Sequence, residues 1–222
     1  MANTAHETTG GWDTAPGGRE AWGLYFTYEV NCTPAVCAYS TYSATNPDLA
    51  PYKPVEGQGY YGRGPMQLSY NYNYGPFSEY YFNDVNVLLA NPDRVVEDSE
   101  VAWASAIWFW MKPQYNKPSA HFMMTGNPGI MGLGAGFGST LASSNAEEQR
   151  LYEDGIQDGR QFGMGSTINI INGGLECNQP TNGKVEDRIG FYNAIGQSFG
   201  LSNAQLDDNG NMPKYCDQMN SY

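Results

Sequence analysis

Apolar residues recur at helical spacing in the last quarter of the chain. Val185, Ile189, Tyr192, Ile195 and Phe199 follow one another at intervals of three or four positions, and Gly200 comes next. This pattern predicts an amphipathic helix from Lys184 to Phe199 whose apolar stripe faces the core.

A second helix is predicted between Asp98 or Ser99, either of which can cap it, and about Met111. Pro113 follows and ends it, because proline cannot continue a helix. Its apolar residues are Val101, Trp103, Ala104, Ile107, Trp108, Trp110 and Met111. Since they surround the helix axis, we expect a buried core helix, with its tryptophans in the core rather than against a ligand.

Capping residues predict two shorter helices. Residues 2–9 have the pattern of the last turns of a helix, which the glycines Gly10–Gly11 end. Ser119 can cap a short helix that ends at Gly126. A helix boundary marked by such residues is predicted without any knowledge of the rest of the fold.

A further helical stretch is predicted over Ile168–Asn172. Ser166 or Thr167 begins it, and Gly173–Gly174 should stop it. Together these helices place the chain in the mainly α class, with long connecting loops.

Three segments are predicted to be irregular. Residues 13–59 hold many Gly, Pro, Ser and Thr and have no helical period; we interpret them as an active-site loop region, since loops of that length are usually functional or disordered. Residues 126–165 are Gly-rich and then polar; Gly132–Gly138 fits neither nucleotide-binding glycine motif, so we expect a mobile surface loop there. Asp207–Asn211 misses the spacing of a calcium loop and is interpreted as a turn.

Composition narrows the classes of function. The 222 residues suit one domain, and 41% hydrophobic residues suffice for a core. Aromatic residues reach 14%, with 17 Tyr, which suits stacking against sugar rings, although ordinary packing explains any single ring equally well.

The net charge of the chain also limits the classes of binding partner. Lys and Arg number 11 against 23 Asp and Glu, so the formal net charge is −12. This balance argues against a nucleic-acid partner and disfavours anionic cell-wall polymers, whereas a neutral polysaccharide carries no such penalty. Solubility alone is an alternative reason for the charge.

Other sequence features bear on membrane insertion, metal binding and the cellular compartment. No run of about 20 apolar residues exists, so no membrane span is predicted. His6 and His121 are the two histidines and no CxxC motif occurs, so no metal site is predicted. Four cysteines in two sequence-local groups predict disulfides in an exported protein. No signal peptide precedes Ala2, and we interpret the start as that of a trimmed or partial chain.

Three blocks carry candidate chemistry: His6–Trp12 (HETTGGW), Trp22–Glu29 (WGLYFTYE) and Tyr60–Gly75 (YYGRGPMQLSYNYNYG). Hydrolysis of a glycosidic bond needs a proton donor at the leaving oxygen and a carboxylate that activates water or attacks the sugar. Glu7 and Glu29 lie on different elements and can supply these two groups. Taken singly, each is better explained as a solvated surface charge.

In this order, the blocks closely resemble the family 19 glycoside hydrolases, the plant- and bacterial-type chitinases. The resemblance runs from about Ala5 to about Gly200. It implies a lysozyme-like, α-rich fold with two helical lobes about an elongated substrate cleft. We expect a single catalytic domain over 1–222, in which 201–222 is a C-terminal extension tied by a disulfide.

The resemblance also assigns roles in catalysis. Glu7 aligns with the general acid, Glu29 with the general base, and Ser69 with the serine that helps to hold the attacking water. Glu176 and Arg188 align with an ion pair that contacts the acid. Arg188 precedes Ile189, so it can lie at the edge of the buried helix face; a surface ion pair is the alternative.

Further positions align with the sugar-binding cleft of the family: Trp12, Tyr60, Gln67, Tyr72, Asn73, Lys117 and Asn172. Arg63 is interpreted as a structural brace. For the cysteines we favour the pairs Cys32–Cys37 and Cys177–Cys216, since each closes one loop and the family has similar bridges.

The resulting hypothesis is an endo-acting, inverting chitinase that is secreted, monomeric and free of cofactors, and that acts on chitin or chito-oligosaccharides. Family catalytic domains usually carry several dozen residues before the HETTGG motif, whereas this chain has five. That difference keeps open a non-catalytic chitin-binding protein or an inactive fragment. A peptidoglycan-degrading lysin on the same scaffold is a further alternative.

Overall fold

A computed structural model describes residues 1–114, 116–127, 141–180, 182–206 and 212–222, with the backbone alone for 141–145. The Gly132–Gly138 run and the Asp207–Asn211 turn lie outside the described residues. The chain is mainly α, as predicted, and within the described ranges extended pairing consists of isolated bridges. No described helix is long and apolar enough to cross a bilayer.

The helices are α1 (Ala2–Glu7), α2 (Asn71–Phe82), α3 (Asn86–Ala90), α4 (Arg94–Glu97), α5 (Ser99–Met111), α6 (Ala120–Thr125), α7 (Leu141–Ile156), α8 (Met164–Glu176), α9 (Gly183–Ser198) and α10 (Asn203–Leu206). The predicted irregular segment 13–59 is confirmed as a loop region whose one short helical piece is the 3₁₀ turn Arg19–Trp22.

The chain forms two compact units. The first contains Met1–His6 and the described residues from Trp110 to Tyr222, and the second contains Glu7–Phe109. Each unit has its own buried residues and is described by itself below.

The core of the second unit is aromatic and aliphatic. Tyr74 and Phe77 of α2, Leu88 of α3 and Trp108 of α5 are fully buried, and the rings of Phe77 and Trp108 lie 5.5 Å apart. Apolar burial of this kind contributes about 25 cal/mol for each Å² removed from water. These contacts therefore hold α2, α3 and α5 together.

Helix α2 was not predicted, because Gly75 and Pro76 lie inside it and both disfavour a helix interior. Tertiary contacts outweigh these local preferences. The fully buried Asn71 donates from Nδ2 to the carbonyl oxygens of Thr41 (2.7 Å) and Tyr52 (2.6 Å), so the first residue of α2 is tied to the loop before it. The short helices α3 and α4 were not predicted either.

Helix α5 begins and ends where the sequence predicts, but it is not buried all round. Val101, Ala106 and Trp108 are buried, whereas Trp103 is 40% exposed and Ile107 54% exposed. The prediction of a wholly buried helix is therefore wrong, because apolar residues on every face do not guarantee neighbours on every face.

The core of the first unit joins α6, α8 and α9. One cluster contains Met164, Ile168, Val185, Ile189 and Met219 together with the disulfide Cys177–Cys216. A second cluster packs Phe122 and Met123 of α6 against Ile170 of α8. Ile168 and Ile170 thus place α8 between the two clusters.

The cap predicted for α6 is confirmed. The Ser119 hydroxyl accepts a hydrogen bond from the Phe122 amide (3.0 Å), and Gly126 ends the helix in the left-handed conformation at φ 68°. Ser119 also donates from Oγ to the buried carboxyl of Glu148 (2.7 Å), which belongs to α7. The prediction of an irregular segment over 126–165 is wrong for Leu141–Ile156, which forms α7, because a polar sequence there gave no helical signal.

The predictions for α8 and α9 hold in part. Helix α8 begins at Met164, before the predicted start at Ser166 or Thr167, and its helical geometry breaks at Asn172 (φ −144°, ψ 32°), directly before Gly173–Gly174; a further turn beyond this kink reaches Glu176. Helix α9 begins as predicted and buries Val185 and Ile189, but Phe199 lies beyond its last residue and is 78% exposed. The Phe199 amide still donates a helical hydrogen bond to Ile195 (3.2 Å), but its side chain is exposed, so the apolar stripe that faces the core ends before Phe199.

Candidate active site

The backbone joins the segment after Glu7 to the segment before Glu29. The carbonyl oxygen of Thr8 accepts hydrogen bonds from the amides of Tyr25 and Phe26, both at 2.9 Å, and the Gly10 amide donates to Trp22 (3.0 Å). Both glutamates therefore belong to one hydrogen-bonded loop network. Glu7 itself ends α1 and is partly buried.

The same network continues from Glu29 to the Gly62–Gly64 segment. The Glu29 amide donates to Gly62 (2.8 Å), and the Gly64 amide donates to Thr27 (2.8 Å). Tyr28 and Arg63 form an antiparallel bridge between these bonds. Glu29 thus sits on a strand-like segment with a fixed backbone, although it lies in a loop-rich part of the chain.

The carboxylate of Glu29 accepts one hydrogen bond on each oxygen. Oε1 accepts from the Tyr39 hydroxyl (2.8 Å) and Oε2 from the Gly62 amide (2.9 Å). The hydrogen bond to Glu29, with burial and the nearby charge, raises the pKa of Tyr39 to about 12. Tyr39 therefore remains a neutral donor at physiological pH, and the carboxyl plane of Glu29 is fixed.

Arg63 braces this region, as predicted. Its guanidinium is buried and donates to the carbonyl oxygens of Gly59 (2.8 Å) and Tyr61 (3.1 Å), and to Asp93 (2.8 Å). Five donors in a rigid fork suit such bracing of a loop.

Ser69, Gln67 and Asn73 lie together at the start of α2. The Ser69 hydroxyl donates to the Gln67 carbonyl (2.9 Å), and Asn73 Nδ2 donates to the Ser69 carbonyl (2.9 Å). Gln67 has φ 49° and donates from Nε2 to Gly64 (3.1 Å). Each of the three side chains is partly buried, so each keeps some surface for a ligand.

Two predicted sugar-binding aromatics keep accessible surface. Trp12 is 48% exposed, and its ring lies 5.2 Å from that of Trp22. Tyr72 is partly buried and stacks on Tyr70 at 5.1 Å. Exposed aromatic rings of this kind present the apolar faces against which sugars stack.

Tyr60 is a correction to the predicted set. Its side chain is fully buried; its hydroxyl donates to the Leu89 carbonyl (2.8 Å) and accepts from the Val55 amide (2.8 Å). Both roles of the hydroxyl are used inside the protein, and the ring has no accessible face. Tyr60 therefore supports the loop instead of contacting a ligand.

In the first unit, Arg188 and Glu176 form a buried ion pair. Arg188 donates from Nε to Oε2 (2.9 Å) and from Nη2 to Oε1 (3.0 Å) of Glu176, while Nη1 donates to Asn3 (3.1 Å). Asn172 Nδ2 also donates to Glu176 Oε1 (2.7 Å). The surface ion pair considered for Arg188 is therefore excluded, and its place is inside the unit rather than at the edge of a helix face.

The environment of Glu176 favours its charged form. Burial by itself disfavours the carboxylate, but the hydrogen bonds and charge of Arg188, aided by Asn172 and His6, lower the pKa of Glu176. The kink of α8 at Asn172 brings the amide of that residue to the carboxyl one turn later. The glycines Gly173–Gly174 thus directly follow the residue at which the helical geometry breaks.

Lys117 also belongs to the first unit. Its Nζ donates to the Ile170 carbonyl of α8 (2.8 Å), and burial lowers the pKa of this amine. Lys117 therefore contacts α8, the helix that contains Asn172 and Glu176. The second unit contains the other predicted catalytic residues, Glu7, Glu29 and Ser69.

Both predicted disulfides are confirmed, between Cys32 and Cys37 and between Cys177 and Cys216. The first closes a small loop between Glu29 and Tyr39.

The described residues contain no cluster of three His, Cys, Asp or Glu side chains that could hold a metal ion.

Tyr39 is a site residue that no sequence motif predicts. It lies in an irregular loop, and no spacing or motif connects it to Glu29, ten positions earlier. The one available signal was the closure of the intervening loop by the predicted Cys32–Cys37 bridge.

Comparison with known proteins defines the class. The sequence model of the class I chitinases, glycoside hydrolase family 19, matches residues 1–131 and 150–209. This chain therefore belongs to glycoside hydrolase family 19.

Curated relatives agree with this assignment. Endochitinase 3 of Nicotiana tabacum is 41% identical over 97% of this chain and 54% of its own length. Chitinase 12 of Oryza sativa subsp. japonica is 43% identical over 93% of this chain and 54% of its own length. A protein of Hevea brasiliensis named inactive chitinase-like protein 1 is 41% identical over 86% of this chain and 51% of its own length. The chain spans about half the length of these relatives.

Solved structures support the lysozyme-like, mainly α fold. Chitinase C of Streptomyces griseus HUT6037 is 27% identical, with a TM-score of 0.53 over 97% of this chain and 74% of that one. The class IV family 19 chitinase of Zea mays is 27% identical, with a TM-score of 0.50 over 90% of this chain and 66% of that one.

Proposed function

We propose that this chain is an endo-acting chitinase that hydrolyses β-1,4-linked N-acetylglucosamine polymers with inversion, with Glu7 as general acid and Glu29 as general base. The observation that carries the proposal is the placement of Glu29. Its carboxylate is oriented by Tyr39 and Gly62, on a segment bonded to the residues that follow Glu7. Two carboxyl groups on one network supply the pair that glycoside hydrolysis needs.

The reaction follows from these roles. Glu7 donates its proton to the glycosidic oxygen as the bond to the anomeric carbon breaks, and Glu29 takes a proton from a water that attacks the opposite face of the sugar. The attack gives the α-anomer from a β-linked chain. Inverting enzymes hold the two carboxyls roughly 6.5–9.5 Å apart so that the water fits between them.

The surroundings of Glu29 suit a base. An ionised carboxylate has about four lone-pair sites, so it can accept from Tyr39 and Gly62 and still accept from a water. Ser69 is assigned to the same water, because a hydroxyl can donate to one group while accepting from another. In the first unit, Glu176 and Arg188 are assigned to tuning the acid, and Lys117 and Asn172 to sugar contacts.

The substrate class follows from surface chemistry. Trp12 and Tyr72 offer aromatic faces, and Gln67 and Asn73 offer amides that both donate and accept, as sugar hydroxyls and acetamido groups require. A net charge of −12 favours neutral chitin over anionic peptidoglycan. Two disulfides support a secreted protein, because such bonds persist in oxidising compartments. We keep the single domain over 1–222 and the monomer as parts of this proposal.

A non-catalytic chitin-binding protein is the second candidate. The observation that favours it is the relative named inactive chitinase-like protein 1, at 41% identity. Membership in the family is therefore compatible with loss of activity. The discriminating measurement is release of reducing ends from soluble chitin, run beside sedimentation with insoluble chitin.

The stereochemical test separates the mechanisms. Proton NMR of the first products from a chito-oligosaccharide, recorded before mutarotation, should give the α-anomer. A dominant β-anomer would mean that the substrate's acetamido group attacks instead of water, and the base role of Glu29 would be withdrawn. Co-sedimentation with chitin without any product would establish the binding protein, and cleavage of peptidoglycan in place of chitin would establish the lysin.

A further inference from the structure

The second donor to Glu29 is a side chain from the same loop. Gly62 donates through its backbone amide, which is fixed by its own segment, whereas Tyr39 donates through a phenol at the end of a long side chain. A side-chain donor holds its partner only if the side chain is itself held. The placement of Tyr39 therefore decides how firmly Oε1 of Glu29 is oriented.

Tyr39 is held by a stack of three tyrosine rings. Its ring lies parallel to that of Tyr70, with centroids 5.1 Å apart and an interplanar angle of 14°. Tyr70 in turn stacks on Tyr72 at 5.1 Å and 17°. Offset stacking of aromatic rings is a favourable arrangement, and it fixes both the position and the tilt of the phenol.

The backbone reinforces this stack. The Tyr60 amide donates to the carbonyl of Ala38 (2.8 Å), and the Tyr70 amide donates to the carbonyl of Tyr60 (2.7 Å). Residues 38, 60 and 70 therefore form one bonded row, with Tyr60 buried at its centre. Tyr39 directly follows Ala38 at one end of that row, and Tyr70 is its other end.

Two members of the stack adopt backbone conformations that L-residues rarely take. Tyr39 has φ 44° and Tyr70 has φ 70°. Such conformations persist only where the surroundings over-determine them, and they cluster at functional sites. Here each conformation orients a ring. Tyr39 carries the hydroxyl that reaches Glu29, and Tyr70, the residue after Ser69, stacks against the Tyr39 ring.

We propose that Tyr39 is a positioning residue for the general base: its hydroxyl, held by the Tyr39–Tyr70–Tyr72 stack, fixes the carboxyl plane of Glu29 for activation of the attacking water. This inference rests on the proposed function. It adds Tyr39 and Tyr70 to the site. It also assigns the tyrosines at the start of α2 a role in orienting the base, in addition to contact with sugar.

The stack joins the two groups assigned to the water. Tyr39 orients Glu29, while Ser69 immediately precedes Tyr70, and the Ser69 carbonyl is held by Asn73 (2.9 Å). Loss of the Tyr39 hydroxyl therefore affects the orientation of the base without removing the base itself. Tyr39 stays neutral at working pH, since its pKa is raised to about 12 by the hydrogen bond to Glu29, burial and the nearby charge.

The test compares Tyr39→Phe with Tyr42→Phe, a matched removal of a hydroxyl from the same loop at an exposed tyrosine. Steady-state kinetics on a soluble chito-oligosaccharide should show that kcat of Tyr39→Phe falls about 10- to 100-fold, because misplaced catalytic groups lose rate on this scale. KM should change less than about twofold, and melting temperature should be preserved, because the ring still stacks. Tyr42→Phe should match the parent.

A conservative replacement gives the rescue arm. Incorporation of p-aminophenylalanine in place of Tyr39 restores an N–H donor on the same ring, so kcat should recover towards the parent value. This arm also decides the matter if Tyr39→Phe does not fold, since the amino variant keeps both the ring and the donor.

The possible failures are distinct. A Tyr39→Phe variant with the kcat of an active parent would overturn the positioning role and leave the proposed function in place. A rise in KM with unchanged kcat would reassign Tyr39 to substrate binding. An amino variant that folds but stays as slow as Tyr39→Phe would also contradict the role of the donor. A folded parent with no hydrolysis would overturn the proposed function and this inference with it.

Discussion

Arg188 holds Glu176 through two hydrogen bonds, Nε to Oε2 at 2.9 Å and Nη2 to Oε1 at 3.0 Å, with both side chains fully buried. Parallel bonds between a guanidinium and a carboxylate are strong and directional. The pair joins α8 to α9, and Nη1 of Arg188 extends the network to Asn3 near the start of the chain. Residues far apart in sequence are thus connected by one charged group.

Removal of Arg188 should be strongly destabilising. Arg188→Ala leaves the carboxylate of Glu176 buried without its cation, and breaking a buried pair costs about 3–5 kcal/mol. Chemical denaturation should show this loss in the free energy of unfolding. Arg150→Ala is the control, because Arg150 pairs with Glu147 and Asp154 on an exposed helix face and should leave stability almost unchanged. Equal effects in the two variants would contradict the importance of the buried pair.

Stability should fall on acidification through Glu176. Burial disfavours its charge, but Arg188 outweighs burial and lowers the pKa below the ordinary value of 4.5. A carboxyl with a lowered pKa in the folded state contributes stability that is complete above the ordinary pKa and is lost as pH falls through the folded pKa. In Glu176→Gln the slope of melting temperature between about pH 5 and about pH 3 should therefore be shallower than in the parent.

A surface carboxyl supplies the comparison for this pH experiment. The pKa of Glu147 is also lowered by its hydrogen bond to Arg150, but both groups are exposed to solvent, which screens the interaction. Glu147→Gln should therefore change the slope much less than Glu176→Gln does. If the melting temperature of Glu176→Gln depended on pH as steeply as that of the parent, Glu176 would not be a cause of the loss of stability in acid.

The two disulfides should differ in their contribution to stability. Cys177 and Cys216 are 39 positions apart and buried in the core of the first unit, so the paired serine variant should lose about 4 kcal/mol in the chain-entropy account. Cys32 and Cys37 are five positions apart, and their paired serine variant should lose about 2 kcal/mol. Calorimetry of the two double variants checks the order, and a reversed order would contradict it.

Amide replacements of the two glutamates should remove nearly all turnover and leave the fold largely intact. Glu7→Gln and Glu29→Gln remove proton transfer, which contributes roughly 10²- to 10⁴-fold to rate. Glu29→Gln should also keep its stability, because the amide oxygen can accept from Gly62 while the amide N–H donates to the Tyr39 hydroxyl, which both donates and accepts. The exposed Glu20→Gln is the control for both measurements. Near-parent turnover in either variant would withdraw its assigned role.

Local signals succeeded where the structure depends on neighbours in sequence. Ser119 and Gly126 bound α6 as predicted, since a cap needs only the first and last turns of its own helix. Helix α2 was not predicted, because Pro76 disfavours a helix interior. In the folded chain, burial of Tyr74 and Phe77 outweighs that local preference. In α8, Gly173–Gly174 marked the place where the helical geometry breaks, at Asn172, but they did not predict the further turn that reaches Glu176.

The sequence by itself determined the helical class, the principal caps, the pairing of the cysteines and, through its motifs, the resemblance to family 19. Tertiary structure alone decided which side chains meet. It buried Tyr60, placed the expected Glu176–Arg188 pair inside the first unit and brought the Tyr39 hydroxyl to Glu29. The physical reason is range: caps and periodicity act over a few residues, whereas burial and hydrogen bonding depend on segments that only the folded chain brings together.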